Sequence, residues 1–191
     1  IINHLSLDPV MKEIISKHGL FDWNASGKFF TDLVSAIVGQ QLSVKAAASI
    51  WKRFEEMVRE VNPKNILLKT HEELRSVGLS NSKVRYIQGL AEAVQSNELD
   101  LLKVEKLGDD EVMKELIKIK GVRPWKVEMI LIFTLGREDI FSMGDLGLRS
   151  AVAKNYGIDR DNLEKIKEIS TKWSPYRSFA SRYLWKSLDN V

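Results

Sequence analysis

Leu116-Ile117-Lys118-Ile119-Lys120-Gly121-Val122-Arg123-Pro124-Trp125 brings one helix to a stop and starts another within a few residues. Gly121 stands where helices commonly end, and Pro124 where a first-turn proline is tolerated. Such a junction leaves the first N–H groups of the second helix without intrahelical partners. Those donors, with the positive end of the helix dipole, suit a phosphate oxygen. Glycine permits close approach of the backbone, and Lys120, Arg123 and Lys126 supply positive charge. Contacts of this kind hold DNA in place without reading its sequence. Taken alone, the same segment also describes a tight link between two packed helices.

Outward from this junction the chain reads as helix almost throughout. Asp109 or Asp110 opens the helix that ends at Gly121, and the helix starting at Pro124 continues to Gly136. Phe29, Phe30, Leu33, Val34, Ile37 and Val38 share one helical face that stops at Gly39. Ser43 caps an alanine-rich helix running through Trp51 and Phe54 towards Val61, which Asn62-Pro63 ends. Thr70 and Glu73 form a capping box, and Gly78 closes that short helix. The next helix runs from about Ser80 to Val94, with Val84, Ile87, Leu90 and Val94 on its apolar side. Asp145 opens a helix reaching about Tyr156. Ser174 as cap and Pro175 as first residue open the last one, which carries Tyr176, Phe179, Tyr183 and Trp185. No convincing strand alternation interrupts them. The expectation is an all-α protein of roughly nine or ten helices with short connections.

Composition narrows the class. The 191 residues are 44% hydrophobic and 29% charged, the balance of a globular protein with a sizeable core. No apolar run is long enough to span a bilayer and no signal segment leads the sequence, so no membrane association is expected. The chain has no cysteine, which rules out disulfides, thiolate zinc sites and iron–sulfur clusters and fits a reducing intracellular compartment. His4, His18 and His71 are scattered without metal-ligand spacing. The net charge of +3, from 29 basic and 26 acidic residues, is too small by itself to mark a nucleic-acid binder. Two basic clusters stand out, Lys118, Lys120, Arg123 and Lys126, then Lys172, Arg177, Arg182 and Lys186. Either alone is also what a solvated helix face looks like.

The sequence around the junction adds a pattern. Leu116 to Arg149, including Ser142-Met143-Gly144-Asp145-Leu146-Gly147, resembles the helix-hairpin-helix, Gly/Pro-rich loop and aspartate signature of the HhH-GPD DNA glycosylase superfamily. Leu33-Val34-Ser35-Ala36-Ile37-Val38-Gly39-Gln40-Gln41-Leu42-Ser43-Val44-Lys45-Ala46-Ala47 is similar to the N-terminal signature of 3-methyladenine DNA glycosylase II, the AlkA-like family. Ser174-Pro175-Tyr176-Arg177-Ser178-Phe179 through Leu184-Trp185 is similar to that family's C-terminal signature. The resemblance covers about Asp22 to Trp185, with the three motifs in order.

The resemblance implies two helical lobes with the active site in the cleft between them. Approximately residues 38–140 would form a central lobe carrying the hairpin at 117–126, with 1–37 and 141–191 in the second. It also implies a monofunctional base-excision enzyme that flips an alkylated purine, 3-methyladenine or 7-methylguanine, out of double-stranded DNA and hydrolyses its N-glycosidic bond. Such an enzyme would act as a monomer on chromosomal DNA inside the cell. Asp145 falls at the family's catalytic aspartate, while as a residue it is equally a favoured helix N-cap. Gly121, Val122 and Arg123, flanked by Lys120 and Lys126, match the phosphate-binding hairpin. The carbonyls of Ile117, Ile119 and Val122 match positions that hold a structural Na+ or K+, and no other cofactor is implied. Gln41 matches the residue that plugs the gap left by a flipped base, with Leu42 beside it as a wedge and Ser43 next in the DNA-binding run. Trp125 and Trp185 match aromatic walls of the base pocket. Met129, Trp23 and Trp51 are further pocket candidates that read more readily as core.

Departures from the family pattern accompany these matches. Arg123 replaces the second glycine of the usual Gly-Val-Gly hairpin, and Gly144 stands where relatives often carry a polar residue before the aspartate. The position of the lysine used by strand-cutting relatives is Trp125. Lys126, one residue on, turns about 100° away on a helix, so no lyase activity is expected. Two further readings stay open, a non-catalytic binder of abasic or distorted DNA and a glycosylase for another damaged base.

Overall fold

A computed structural model of the chain describes residues 1–188. It is helical, with no β-strand among those residues. The chain divides into two compact units. One is the continuous stretch Ser26–Ile130, and the other joins Ile1–Ala25 to the chain from Leu131 onward. Helices α1 (Ile2–Leu5) and α2 (Pro9–His18) come first. The continuous unit then holds α3 (Phe29–Val38), α4 (Val44–Val58), α5 (Pro63–Leu67), α6 (His71–Ser76), α7 (Asn81–Gln95), α8 (Leu101–Val104), α9 (Asp109–Leu116) and α10 (Pro124–Met129). A π-helical turn over Ile130–Thr134 follows, and then α11 (Leu146–Tyr156), α12 (Leu163–Thr171) and α13 (Arg177–Lys186). No helix of the described residues is long and apolar enough to cross a membrane.

The lobe boundaries expected near residues 38 and 140 lie instead at 25/26 and 130/131. The reason is packing. α3 buries Leu33, Val34 and Ile37 completely and packs on α4 and α7, so it belongs with the hairpin helices. α7 is the centre of this unit, lying against α3, α5 and α6 and burying Val84, Ile87, Leu90 and Ala91. Residues past the π turn are tied to α13 instead. Glu138 O accepts from Ser178 N at 2.9 Å, and Asp139 accepts from Ser174 and Arg177.

Most caps stand where local chemistry put them. Ser43 Oγ accepts from Ala46 N and Ser80 Oγ from Lys83 N, both at 3.3 Å. Thr70 and Glu73 exchange both bonds of the capping box, at 2.7 and 3.1 Å. Other ends differ from expectation. α4 stops at Val58 because Arg59 turns to φ +64°, and Asn62-Pro63 opens α5 rather than merely ending α4. α9 ends at Leu116, well before Gly121, and α8 and α12 are short helices that the apolar pattern did not reveal. α13 begins at Arg177 rather than Pro175. Ser174 Oγ is taken by Asp139 Oδ2 at 2.7 Å, and the Arg177 N–H is satisfied by Asp139 Oδ1 at 3.2 Å, so the cap comes from outside the helix.

The discontinuous unit is organised around Asp8. Its Oδ1 caps α2 by accepting from Val10 N at 2.9 Å. Its Oδ2 accepts from Tyr156 Oη at 2.8 Å and from Trp173 Nε1 at 3.2 Å. Trp173 is wholly buried in a core with Met11, Leu148, Ile166 and Leu184, and its one donor requires this acceptor. Burial, with the Asp8 carboxylate beside it, pushes the Tyr156 phenol well above its usual range.

Candidate active site and hairpin

Asp145 is the N-cap of α11, in extended backbone, half-buried. Its Oδ1 accepts from Leu148 N at 2.5 Å, the usual capping bond to the third helical position, and from Trp185 Nε1 on α13 at 3.0 Å. Two donors on one oxygen hold the carboxylate in one orientation at the positive end of a helix, where negative charge is favoured. Gly147 keeps the space beside it open. A Cβ there would lie 3.2 Å from Asp145 Oδ1 and 3.8 Å from the Trp185 ring. The sequence match gave Asp145 and Trp185 separate roles, catalytic carboxylate and pocket wall, and the structure joins them by a hydrogen bond.

An aromatic cluster continues from Trp185. Phe133 lies 5.8 Å from it between ring centroids, and Trp23 stacks on Phe179 at 3.9 Å. The Arg182 guanidinium rests over Phe21, Trp23 and Phe133 at 4.6, 4.8 and 5.8 Å. Burial lowers its pKa from the ordinary arginine value. Arg177, the neighbouring cation of this basic run, is committed elsewhere. It grips Asp139 through Nε at 2.7 Å and Nη2 at 3.1 Å. Burial works to raise the Asp139 pKa, but bonds from the Arg177 side chain, Ser174 and the Arg177 backbone outweigh it and hold the carboxyl below its usual value.

The hairpin lies wholly within Ser26–Ile130. Gly121 takes φ +87°, a left-handed conformation, and a Cβ on it would strike the Tyr86 ring. The turn is closed by Val122 N donating to Ile119 O at 3.0 Å, and Arg123 is the N-cap position of α10 ahead of Pro124. Lys120 and Arg123 are exposed, Val122 is buried, and Ile117 is 44% exposed. Trp125 exposes 43% of its surface, a large fraction for tryptophan, whereas Met129 is half-buried. Lys126 was expected at a phosphate. Its ammonium is half-buried and donates to Ala36 O, at the end of α3. Burial, and then the charge of Lys83, lowers it to about 8.

The same unit presents the Gln41 turn. Gln41 adopts φ +54° and is exposed, Leu42 is 36% exposed and Val44 is 90% exposed. Ser43 uses its hydroxyl as the α4 cap. Gln40 donates its side-chain amide to Gly121 O. Trp51 stacks along Phe54 at 5.5 Å, and Trp23 packs with Phe179, so both act in their own unit's packing. Sequence reading placed Arg182 only in a basic run and Gly147 only within the aspartate signature, without a role for either, and it missed Lys83 and Tyr86. A helical i, i+3 offset from Trp185 points to Arg182, but no local signal marks Lys83 or Tyr86.

Known proteins share this family and fold. The family model described as HhH-GPD superfamily base excision DNA repair protein matches residues 34–175. The chain belongs to this family. DNA-3-methyladenine glycosylase 1 of Schizosaccharomyces pombe is 31% identical, over 96% of this chain and 85% of that protein. The crystal structure of a Bacillus halodurans DNA-3-methyladenine glycosidase superposes with a TM-score of 0.86 at 34% identity, covering 98% of this chain and 88% of the other. The S. pombe 3-methyladenine DNA glycosylase Mag1 in complex with abasic DNA gives 0.85 at 30% identity, covering 97% and 95%.

Proposed function

We propose that this chain is a monofunctional base-excision DNA glycosylase that hydrolyses the N-glycosidic bond of alkylated purines in double-stranded DNA, with Asp145 as its catalytic carboxylate. The observation that carries this reading is the fixing of Asp145 Oδ1 by Leu148 N and Trp185 Nε1. A preorganised charge needs no reorientation as positive charge develops on the sugar. Alkylation makes the purine cationic and a good leaving group, so little general-acid help is required. The C1′–N bond breaks with its electron pair leaving on the base, which neutralises it. Water adds its oxygen to C1′, and Asp145 orients that water and takes its proton.

The target base is first extruded from the stack, at a cost of a few kcal/mol that is smaller for a damaged pair. Gly121, Val122 and Arg123, with exposed Lys120, grip the backbone. Exposed Gln41 and Leu42 enter the vacated space. The partly exposed ring of Trp125 and the ring of Trp185 are aromatic surfaces suited to stacking on a cationic base, worth about 0.5–2 kcal/mol each. The carbonyls of Ile117, Ile119 and Val122 are neutral oxygens suited to a hard cation. Ile119 O already accepts one hydrogen bond and keeps a second lone pair, so its chemistry allows a Na+ or K+ there, whose charge would draw a phosphate to the hairpin. A strand-cutting lyase would need a nearby free amine, and Lys126 is turned to Ala36 O. The working form is a monomer acting on DNA inside the cell.

Release of 3-methyladenine and 7-methylguanine from methylated DNA, with wild type and Asp145→Asn compared, tests this. Asparagine caps helices about as well as aspartate, so the variant keeps its fold. The wild type should release base and the variant should lose at least about 100-fold in rate. Equal turnover by both rules out the role of Asp145. No release by either, with tight binding to an abasic duplex, makes the chain a damage binder rather than an enzyme.

A further inference from the structure

The end of α3 is held by two ammonium groups that come from far along the chain. Lys83 Nζ donates to Val38 O and to Gln40 O, each at 2.8 Å, and Lys126 Nζ donates to Ala36 O. The last carbonyls of a helix have no intrahelical donors, and cations at that end also meet the negative pole of the dipole. Lysines near a helix end commonly serve such carbonyls from the same helix. Here they arrive from α7 and α10, across 43 to 90 residues of sequence.

What these bonds hold is more than a helix end. Gln40, whose carbonyl Lys83 binds, donates its own side-chain amide to Gly121 O. The next residue, Gln41, is kept at φ +54°, which non-glycine residues seldom adopt. Lys83 and Tyr86 sit at i and i+3 on α7 and therefore share a face. Lys83 holds the Gln41 turn, while the Tyr86 ring packs against the backbone of Gly121. One face of α7 thus supports both the turn and the hairpin.

We propose that Lys83 is a positioning residue: by binding Val38 O and Gln40 O it presets the Gln41–Leu42 turn against the Gly121 hairpin, so that the two meet DNA as one preformed surface. Lys83 touches neither DNA nor base in this account. It acts through Gln41 and Leu42, and the inference rests on the reading that these residues enter DNA. A preset turn avoids ordering it at each insertion into the gap, a cost otherwise subtracted from that step.

The test uses an abasic duplex with 2-aminopurine opposite the gap, whose fluorescence reports insertion into the stack without any base release. Lys83→Met should bind duplex within about threefold of wild type, because the phosphate contacts are untouched. Its insertion signal should fall about tenfold, since small misplacements of a positioned group have large effects. Lys83→Arg, which can donate to both carbonyls, should restore most of the signal. Gln40→Ala leaves both carbonyls to Lys83 and cuts only the amide bond to Gly121 O. It tests registration against the hairpin separately and should also lower insertion, whether or not Lys83→Met folds. In a Leu42→Ala background, Lys83→Met should cost little more, whereas a merely structural lysine would give additive losses. Unchanged insertion in Lys83→Met, unchanged insertion in Gln40→Ala, or additivity in the cycle overturns the proposal. A wild type that inserts normally yet releases no alkylated base overturns the enzymatic reading and leaves this one standing. A wild type that does not bind the abasic duplex overturns both.

Discussion

At Asp145 the contacts that hold the side chain come first from the helix it starts, three residues on, and then from Trp185, 40 residues on. At Gly121 they come from Gln40, 81 residues away, with Lys126 reaching 90 residues back to Ala36. The carboxylate is set by a local rule of helix capping with one long-range addition. The hairpin and the Gln41 turn are registered to each other almost entirely by distant side chains. A local device survives most changes elsewhere in the chain, so damage at Asp145 should be confined to chemistry. A long-range device ties position to the stability of its unit, so damage there should reach binding geometry and pH response as well.

The largest effect that would break this contrast is at Asp145. Asp145→Ala removes both the charge and the cap, so base release should fall by at least about 100-fold and stability by about 1 kcal/mol, whereas Asp145→Asn should lose only the rate. If thermal unfolding shows the two variants equally destabilised, the cap is not what places the carboxylate. Next comes Trp185→Phe, which keeps an aromatic ring and deletes the donor to Oδ1. Loss of a hydrogen bond to a charged group predicts about tenfold slower single-turnover release with substrate affinity little changed. A change confined to KM would make Trp185 a stacking wall and no more.

Smaller effects sharpen the stability side. Asp139→Asn breaks a half-buried Arg177 pair and its bond to Ser174. Exposure of both partners limits this to about 1 kcal/mol, a fall of roughly 2–4 °C in Tm. Because the folded carboxyl titrates below its unfolded value, its contribution is present at neutral pH and is lost as pH falls through the carboxylate range. The wild-type advantage over Asp139→Asn should therefore shrink on acidification. The smallest is at Lys126, held near 8 in the fold. Between that value and the ordinary lysine range the unfolded chain binds more protons, so stability should rise with pH. Denaturant midpoints at about pH 7 and about pH 9.5 should show that increment in wild type and not in Lys126→Met. An identical pH response in both places the lysine in solvent.

Much of the fold was legible because its signals are local. Ser43, Thr70, Ser80 and Asp145 each cap the helix that their neighbours announce. α3 shows its buried face in the spacing of Leu33, Val34 and Ile37. Asp145 and Trp185 were both marked by the family pattern, though nothing in it reveals the bond between them. Lys126 was misplaced because a charged residue beside a glycine turn looks like a phosphate contact whichever way its stem runs. Lys83 carries no mark at all, since the carbonyls it satisfies belong to residues 38 and 40. The late start of α13 was hidden for the same reason, Asp139 lying far upstream of the N–H it caps.

The division of the chain bears on the order in which it is made. Ser26–Ile130 is continuous, so on the ribosome it can fold once its last helix has emerged, whereas the other unit must wait for its second segment. Trp185 leaves the exit tunnel 40 residues after Asp145. A nascent chain therefore completes its hairpin and Gln41 turn well before its carboxylate gains the Trp185 donor, and an incomplete chain holds the first without the second.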